Sequence, residues 1–456
     1  YKTLRQLCKL PRQEAIDQLG EFAQVNESDL PHATRTRVAA LLLRDLIQIG
    51  WEVRVDAHWI RVRPPRAANQ TERKENIRQQ LLFGRNDQLA EESNRRFLFS
   101  LERPSKYAST KSVIDLIADG RRLAKQLDDA AAAPSGDRFE LLKQVCRPYM
   151  QLVSEERDQF TNIRLIDIWR YFRHSWVTRY RSSPGRNLFY LIRDAAQPNH
   201  PVMGIAALGN TVMQLTPRDR ILGWTLEGLL NLHEKGIIAD KETLAAFRHR
   251  LEEDYEQIFI ADLPVDRWID QSVDDETLSR LTVIEADSQK NREDALKSDD
   301  RGGSKRPEDD LSLERLLELT KTPLYRTKRA RVVREILRAY RTLASWNGTV
   351  RALSETDDGA WALGLVIKQL KKRFSATSMM EITVCGAVPP YNHLLGGKLV
   401  CLMMMSPRVL RDCRDRYDGV VSIIASQMAG RPITKEPHLA FLGTTSLYTD
   451  YSAQYN

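Results

Sequence analysis

The sequence predicts an α+β protein with a helical N-terminal part and a C-terminal mixed sheet that is flanked by helices. Two observations predict this class. Up to about position 160 the apolar residues recur mostly at helical spacing, and one short stretch alternates as a strand does. Beyond it, apolar runs of strand length alternate with helical segments, which is typical of a buried sheet. The 456 residues divide into three predicted parts: a winged-helix-like unit at 1–66, a helical region at 67–160 and an α/β core at 161–456.

The N-terminal part is predicted to hold helices followed by a hairpin. Apolar side chains at helical spacing predict a helix over 35–49: Val38, Leu41, Leu42, Leu46 and Ile49. Gly50 marks its end, and alternation over 51–65 around a turn at Asp56 and Ala57 predicts a hairpin. One face of this hairpin would carry three arginines: Arg54, Arg61 and Arg63. They either contact nucleic acid or are solvated side chains on a structural hairpin.

The region at 67–160 is predicted to be mostly helical, and it is polar and highly charged. Helical candidates lie near 72–91, 111–131 and 137–157, and the segment around Pro134 separates the last two. The simplest role for such a region is a scaffold or a bundle that binds partner proteins.

The core at 161–456 is predicted to combine helices and strands. A helix at 165–176 precedes strands at 187–196 and 201–212. Residues 285–310 contain only three apolar residues among 26, which predicts a disordered, charged insertion. The later elements are helices over 311–372, a strand at 380–387, helices at 399–406 and 407–417, and a last strand around 439–448.

Composition restricts the partners more than it defines the chemistry. Lys and Arg number 69 against 61 Asp and Glu, and this net charge of +8 favours anionic partners, nucleic acid before a membrane surface. No apolar run approaches the ~18–20 residues of a membrane span, and the N-terminus has no apolar signal core. Five cysteines without C-x-x-C spacing predict neither a zinc site nor a disulfide framework, and they fit a reducing cytoplasm. The sequence starts at Tyr1, so we expect at least one residue before it.

Two arginine clusters are the candidate nucleic-acid contacts. The first interleaves cations with aromatic residues such as Trp169, Phe172 and Trp176: Arg170, Arg173, His174, Arg179, Arg181 and Arg186. Arginines neutralise phosphates and aromatic rings stack on bases, although aromatic residues at this spacing also fit core packing, which we favour for them. The second is a ridge on a helix predicted over 321–341, where eight basic residues accompany one acid: Arg331, Arg334, Arg338 and Arg341. It is either a ridge that binds a polyanion backbone, which we favour, or a solvated face.

A glycine-rich loop before a predicted helix is the candidate cofactor site. Gly396 and Gly397 would let backbone N–H groups approach an anion, and Lys398 adds a charge, so the loop could hold a pyrophosphate such as that of acyl-CoA. A tight turn that caps a buried helix is the alternative, and the P-loop pattern is absent. The candidate acids or bases are His393, Tyr391 and Asp194. A lone carboxylate on a strand does not hold two Mg²⁺ ions, and we predict no metal site.

Hydroxyl and amide side chains crowd the last segment, residues 442–456. Such groups suit hydrogen bonds to a ligand, a phosphate or a base edge, and they equally suit turn formation.

Four stretches together resemble the DruA family. They are IWRYFRHSW with PGRNLFYLIRDAA, HPVMGIAALGN with RDRILGW, YNHLLGGKLVCLMMMSP, and MAGRP with LGTTSLYTDYSAQYN, and they run from about residue 145 to the end. The resemblance implies a component of Druantia, a bacterial anti-phage system that also encodes a large helicase, DruE. It further implies an acetyltransferase-like core, although the spaced RxxGxG or QxxGxG loop of that fold is replaced by adjacent glycines. The family pattern also implies residues beyond Asn456.

From these observations we predict an anti-phage defence component that binds nucleic acid, DNA before RNA, and acts with the helicase DruE and other Druantia proteins. An acyl-CoA-dependent transferase and a structural adaptor of the defence complex are the alternatives. A homo-oligomer is left open by the sequence. We expect binding to weaken strongly as salt rises.

Overall fold

The computed structural model describes residues 2–24, 31–48, 50–55, 59–64, 69–104, 106–107, 109–176, 178, 185–269, 273–298, 312–394 and 397–444. Within these ranges no helix combines the length and the apolar character needed to cross a lipid bilayer. The chain divides into two compact units. The first contains Tyr1–Ala207 and Thr383–Met404, and the second contains Leu208–Ile382 and Met405–Thr444.

The N-terminal part of the first unit consists of three helices and a hairpin. These elements are α1 (Lys2–Leu7), α2 (Arg12–Gln24), α3 (Pro31–Gln48), β1 (Glu52–Val55) and β2 (Ile60–Arg63), with β1 and β2 antiparallel as predicted. They share a core of their own because Ala40, Leu43 and Ile47 recur on one face of α3 and meet Leu19 of α2. The predicted apolar stripe was wrong in phase, since Val38 and Leu42 are 59% and 58% exposed.

The middle of the first unit differs in part from the predicted helices. Its elements are α4 (Gln70–Ala90), α5 (Glu92–Glu102), a 3₁₀ turn at Val113–Leu116, α6 (Gly120–Ala132), α7 (Ser135–Val145) and β3 (Pro148–Leu152). The prediction of a helix over 137–157 was wrong after Val145. Pro148 cannot continue a helix, and the residues after it pair with a strand instead.

A mixed five-stranded sheet follows, which confirms the α+β class. Its further elements are α8 (Leu165–His174), β4 (Leu188–Asp194), β5 (Val202–Gly209), β6 (Met379–Ala387) and β7 (Phe441–Gly443), in the strand order β3–β4–β5–β6–β7. The pair β3–β4 is antiparallel and the pair β6–β7 is parallel. Every residue of β5 is buried, so this strand is central and reads as a continuous apolar run. Two short helices, α17 (Tyr391–Leu394) and α18 (Lys398–Met404), follow β6.

The second unit is mostly helical. Its helices are α9 (Thr216–Ile221), α10 (Leu226–Glu234), α11 (Asp240–Glu256), α12 (Asp275–Ser298), α13 (Leu313–Lys321), α14 (Pro323–Ala344), α15 (Val350–Ser354), α16 (Asp357–Thr377), α19 (Pro407–Tyr417) and α20 (Ile423–Ala429). Helix α14 is central, since Ala330, Val333 and Ile336 are fully buried in the core of the unit. Pro323 at its first turn fits a helix start, where the missing N–H costs nothing.

The predicted disordered insertion at 285–310 was wrong over 285–298. These residues continue α12, and Leu281 and Ser288, two turns apart, are buried. Helix α12 packs into the core of the unit through Leu278, Leu281 and Ile284, and Glu285 adds ion pairs with arginines of α14. The remainder of the insertion, 299–310, lies outside the described residues.

Candidate nucleic-acid interface

The ridge of four arginines on α14 is engaged with carboxylates of the same unit. Arg334 binds Glu285 of α12 at 2.7 Å, and Arg331 approaches the same carboxylate at 3.9 Å. These contacts offset part of the positive charge that the sequence analysis assigned to a polyanion contact. The ridge therefore helps to dock α12 onto α14.

The other two ridge arginines are also paired. Arg338 binds Asp358 at 2.6 Å and lies over the ring of Trp361, with 4.4 Å to its centroid. Arg341 binds Asp275 at 2.8 Å and also donates to a backbone carbonyl. These pairs engage the ridge within the second unit, and its role as a backbone-binding surface stays a prediction.

The arginines of α8 are held in the first unit. Arg173 is 6% exposed, and its guanidinium donates to the carbonyl and hydroxyl oxygens of Thr178 at 2.6 and 2.9 Å. Arg170 lies over the ring of Phe97 at 4.3 Å and 3.6 Å from Asp167. Both guanidinium groups are therefore already engaged by residues of the first unit.

Histidine 174 is buried beside them, with 4% of its surface exposed. Burial lowers the pKa of His174, and the charges of Arg170 and Arg173 lower it further. A buried imidazole with a lowered pKa is poorly placed to meet an anion, and the role of His174 as a phosphate contact stays a prediction. Trp169 and Phe172 are core residues, as we favoured. Arg179 and Arg181 lie outside the described residues, and Arg186 lies just before β4.

The candidate catalytic residues separate into a buried pair and an exposed histidine. Asp194 is fully buried: its Oδ2 accepts from the Tyr391 hydroxyl at 2.9 Å, and its Oδ1 accepts from the backbone N–H groups of Arg147 and Ala196 at 2.8 and 2.9 Å. His393 is exposed. The carboxylate thus ties β4 to the segments around it and does not face solvent, and its role as an acid or base stays a prediction.

Titration properties of this buried cluster agree with a structural role. Burial raises the pKa of Tyr391, and the neighbouring Asp194 raises it further. Burial and the same carboxylate raise the pKa of Cys146 to about 12. Neither group is poised to exchange a proton near neutral pH.

The described part of the glycine loop packs against β6. A Cβ on Gly397 would lie 3.6 Å from the Cα of Gly386, which is an ordinary contact distance, so the packing of this residue does not itself require glycine. Lys398 is exposed at the start of α18. Gly396 lies outside the described residues, so the cofactor loop stays a prediction.

The N-terminal part of the first unit, in contrast, has five exposed arginines on α3 and the hairpin. We call this set the α3–hairpin surface, and it comprises Arg35 and Arg37 of α3 and Arg54, Arg61 and Arg63 of the hairpin, all of them exposed. In the hairpin register Arg54 lies directly opposite Arg61, and Glu52 lies opposite Arg63. The hairpin arginines were predicted. Arg35 and Arg37 were not singled out, although their place on a helix just before a basic hairpin was a usable signal.

Comparison with known proteins identifies the chain from its core. A family model described as Druantia protein DruA matches residues 115–246 and 365–456. The chain belongs to the DruA family. It is therefore a component of Druantia anti-phage defence, as the sequence predicted. The matched ranges contain all five strands of the mixed sheet, whereas the α3–hairpin surface and the α14 ridge lie outside them.

No curated protein and no solved structure matches the chain. The acetyltransferase-like and winged-helix-like assignments therefore stay predictions.

Proposed function

We propose that this DruA-family chain is a nucleic-acid-binding component of its defence system and that it contacts duplex DNA through the α3–hairpin surface. The observation that carries the proposal is the set of five exposed arginines that α3 and the hairpin present in one small unit. Guanidinium groups on a helix and an adjacent hairpin are suited to phosphate contacts, which supply most of the affinity for DNA.

The register of the hairpin supports this proposal physically. Arg54 lies directly opposite Arg61, so the two side chains project from the same face of the hairpin. Arg54 lies 3.4 Å from Glu52, and the side chains of this pair are 64% and 56% exposed, so solvent screens it. Two guanidinium groups on one face of the hairpin are suited to contacts with neighbouring phosphates.

The charges of α2 also support the α3–hairpin surface as the side that meets DNA. Its side chains include three acids, Glu14, Asp17 and Glu21, while α3 and the hairpin hold the exposed arginines. An uneven charge distribution of this kind steers a polyanion towards one side of a small unit. We further propose that the helicase DruE, which the resemblance implied, acts on the same nucleic acid, and co-purification of the two chains tests that partnership.

Fluorescence anisotropy with a labelled duplex of about 20 base pairs tests the DNA contact. The double variant Arg35→Gln/Arg61→Gln removes one cation from α3 and one from the hairpin. We expect weaker binding to all sequences, and a slope of log affinity against log salt that is smaller by about two.

The matched control is Arg331→Gln/Arg334→Gln, which removes the same charge from the α14 ridge. We expect it to leave the salt slope unchanged, because those guanidinium groups already contact Glu285. Equal losses in both double variants, or a wild-type affinity that does not respond to salt, would overturn the proposal.

A further inference from the structure

A cavity of about 370 Å³ lies in the second unit beside β7. One end is polar, with Thr211 and Glu381, and the walls are apolar: Leu215, Ile221, Leu222, Phe441 and Leu442. Its volume is within the range of small-molecule sites, which is roughly 300–1,000 Å³. None of the residues that line this cavity belongs to the α3–hairpin surface, so the cavity can bind a ligand of its own.

The polar end is built around a buried carboxylate. Glu381 is 8% exposed, and its Oε1 accepts hydrogen bonds from the Thr211 hydroxyl at 3.0 Å and from the Val212 N–H at 3.1 Å. These two donors fix the carboxylate in one orientation. Its Oε2 accepts no hydrogen bond from any described residue, which leaves it as the acceptor that the cavity offers to a ligand.

Charges around the cavity balance, which selects against a strongly charged ligand. Arg218 is 7% exposed and directs its guanidinium to Asp219, to the Thr211 hydroxyl at 2.7 Å and to the Val212 carbonyl at 2.8 Å. Lys371 binds the second oxygen of Asp219. The two positive charges of this arginine and lysine therefore balance the negative charges of Asp219 and Glu381. A neutral N–H donor consequently fits Oε2 better than a cation does.

The apolar walls suit a flat ring. Phe441 is 38% exposed and Ile221 is 75% exposed, so an aromatic face and an aliphatic side chain line the cavity without being covered by described residues. A ring between such side chains gains stacking and apolar burial. A carboxylate that accepts from an exocyclic amino group is the pairing by which proteins recognise cytosine.

We propose that this cavity binds a nucleobase that carries an exocyclic amino group, cytosine or adenine. The amino group donates to Oε2 of Glu381, and the ring packs on Phe441. The base belongs either to a free nucleoside or to an unpaired position of a strand, in the way that proteins hold extruded bases. Thr211, Arg218 and Glu381 act together here: Thr211 and Arg218 position the carboxylate, and Glu381 contacts the ligand.

Calorimetric titration of the full chain with free nucleosides tests the site. We expect cytidine and adenosine to bind at least about fivefold more tightly than uridine and inosine, which present a carbonyl in place of the amino group. Glu381→Gln keeps an acceptor for Thr211 and can present an amide N–H to the cavity. It should therefore lose the preference for amino bases or reverse it.

Two further variants keep the result interpretable. Glu436→Gln removes an exposed carboxylate of the same unit outside the cavity and should bind all four nucleosides as the wild type does. Phe441→Leu removes the ring and should weaken all four by roughly fivefold, which tests the site even if Glu381→Gln does not fold. Circular dichroism and thermal melting report folding for each variant.

A second set of titrations identifies the source of the base. The full chain is titrated at high salt with single strands of deoxycytidine and with single strands of thymidine. Tighter binding of the deoxycytidine strand, with a difference that Glu381→Gln abolishes, indicates that the cavity holds a base within a strand. A response of the free nucleosides alone assigns the site to a small molecule. The Arg35→Gln/Arg61→Gln variant should bind nucleosides as the wild type does, so failure of the α3–hairpin proposal can be distinguished from failure of the nucleobase proposal. Equal binding of cytidine and uridine, or no binding up to about 10 mM, overturns the inference.

Discussion

Arginine has two roles among the described residues, and burial separates them. Arg193 and Arg329 are 1% and 0% exposed, and each forms an ion pair with one aspartate, Asp158 and Asp262 respectively. Arg35 of α3 is exposed. The first kind stabilises its unit, and we propose that the second contacts DNA. A count of basic residues along the sequence cannot tell them apart, because Asp262 lies 67 residues away from Arg329.

Acid should destabilise the second unit through Asp262. Burial alone would raise the pKa of this carboxyl, but hydrogen bonds and charge from Arg329, with Arg326, lower the pKa below its ordinary 3.8. The folded pKa is thus lower than the unfolded one, so the stabilisation is complete above pH ~4 and is lost as pH falls towards the folded value. Each unit of difference corresponds to about 1.4 kcal/mol in the free energy of unfolding.

We therefore expect the urea midpoint of the wild type to fall more steeply below pH ~4 than that of Asp262→Asn, measured by tryptophan fluorescence. Asp358→Asn is the control, because its side chain is 67% exposed. Parallel pH profiles of the wild type and Asp262→Asn would show that this pair does not contribute to the acid response.

At the scale of elements, the helical segment of α14 was predictable from the local sequence pattern, whereas the contacts of its arginines depend on tertiary structure. A helix over 321–341 was predicted from the sequence, and α14 spans Pro323–Ala344 with buried residues at helical spacing. The use of its arginines did not follow, because Glu285 belongs to α12 and lies 49 residues from Arg334. Strand β3 was missed for a related reason: it pairs with β4, which is about 40 residues away in the sequence, and short strands depend on such partners.

A double-mutant cycle tests the proposed docking of α12 onto α14. Arg334→Gln, Glu285→Gln and the variant with both changes should give a coupling of about 0.5–1 kcal/mol in the free energy of unfolding, since the pair is partly buried. The DNA affinity should be the same in all three. Additive effects on stability, or a loss of DNA binding in Arg334→Gln alone, would contradict this docking role and indicate that the ridge contacts the ligand.

For the whole molecule, the sequence predicted the class, the hairpin and the family, because each depends on local pattern or on extended resemblance. The buried ends of Asp194 and Arg173 were not predictable, since burial is decided by distant segments. The same is true of the cavity beside β7, where Thr211, Glu381 and Leu442 come from three separate stretches. The family match covers the sheet and leaves 1–114 outside, so the proposed DNA contact belongs to a part of this chain beyond the matched core.

Hydrogen–deuterium exchange of the intact chain, with and without a duplex of about 20 base pairs at low salt, tests the central claim most directly. DNA bound at the α3–hairpin surface should slow exchange in peptides from Pro31–Gln48 and from Glu52–Arg63, and leave those from Pro323–Ala344 unchanged. Protection confined to Pro323–Ala344 and Asp275–Ser298, or no protection anywhere, would contradict it.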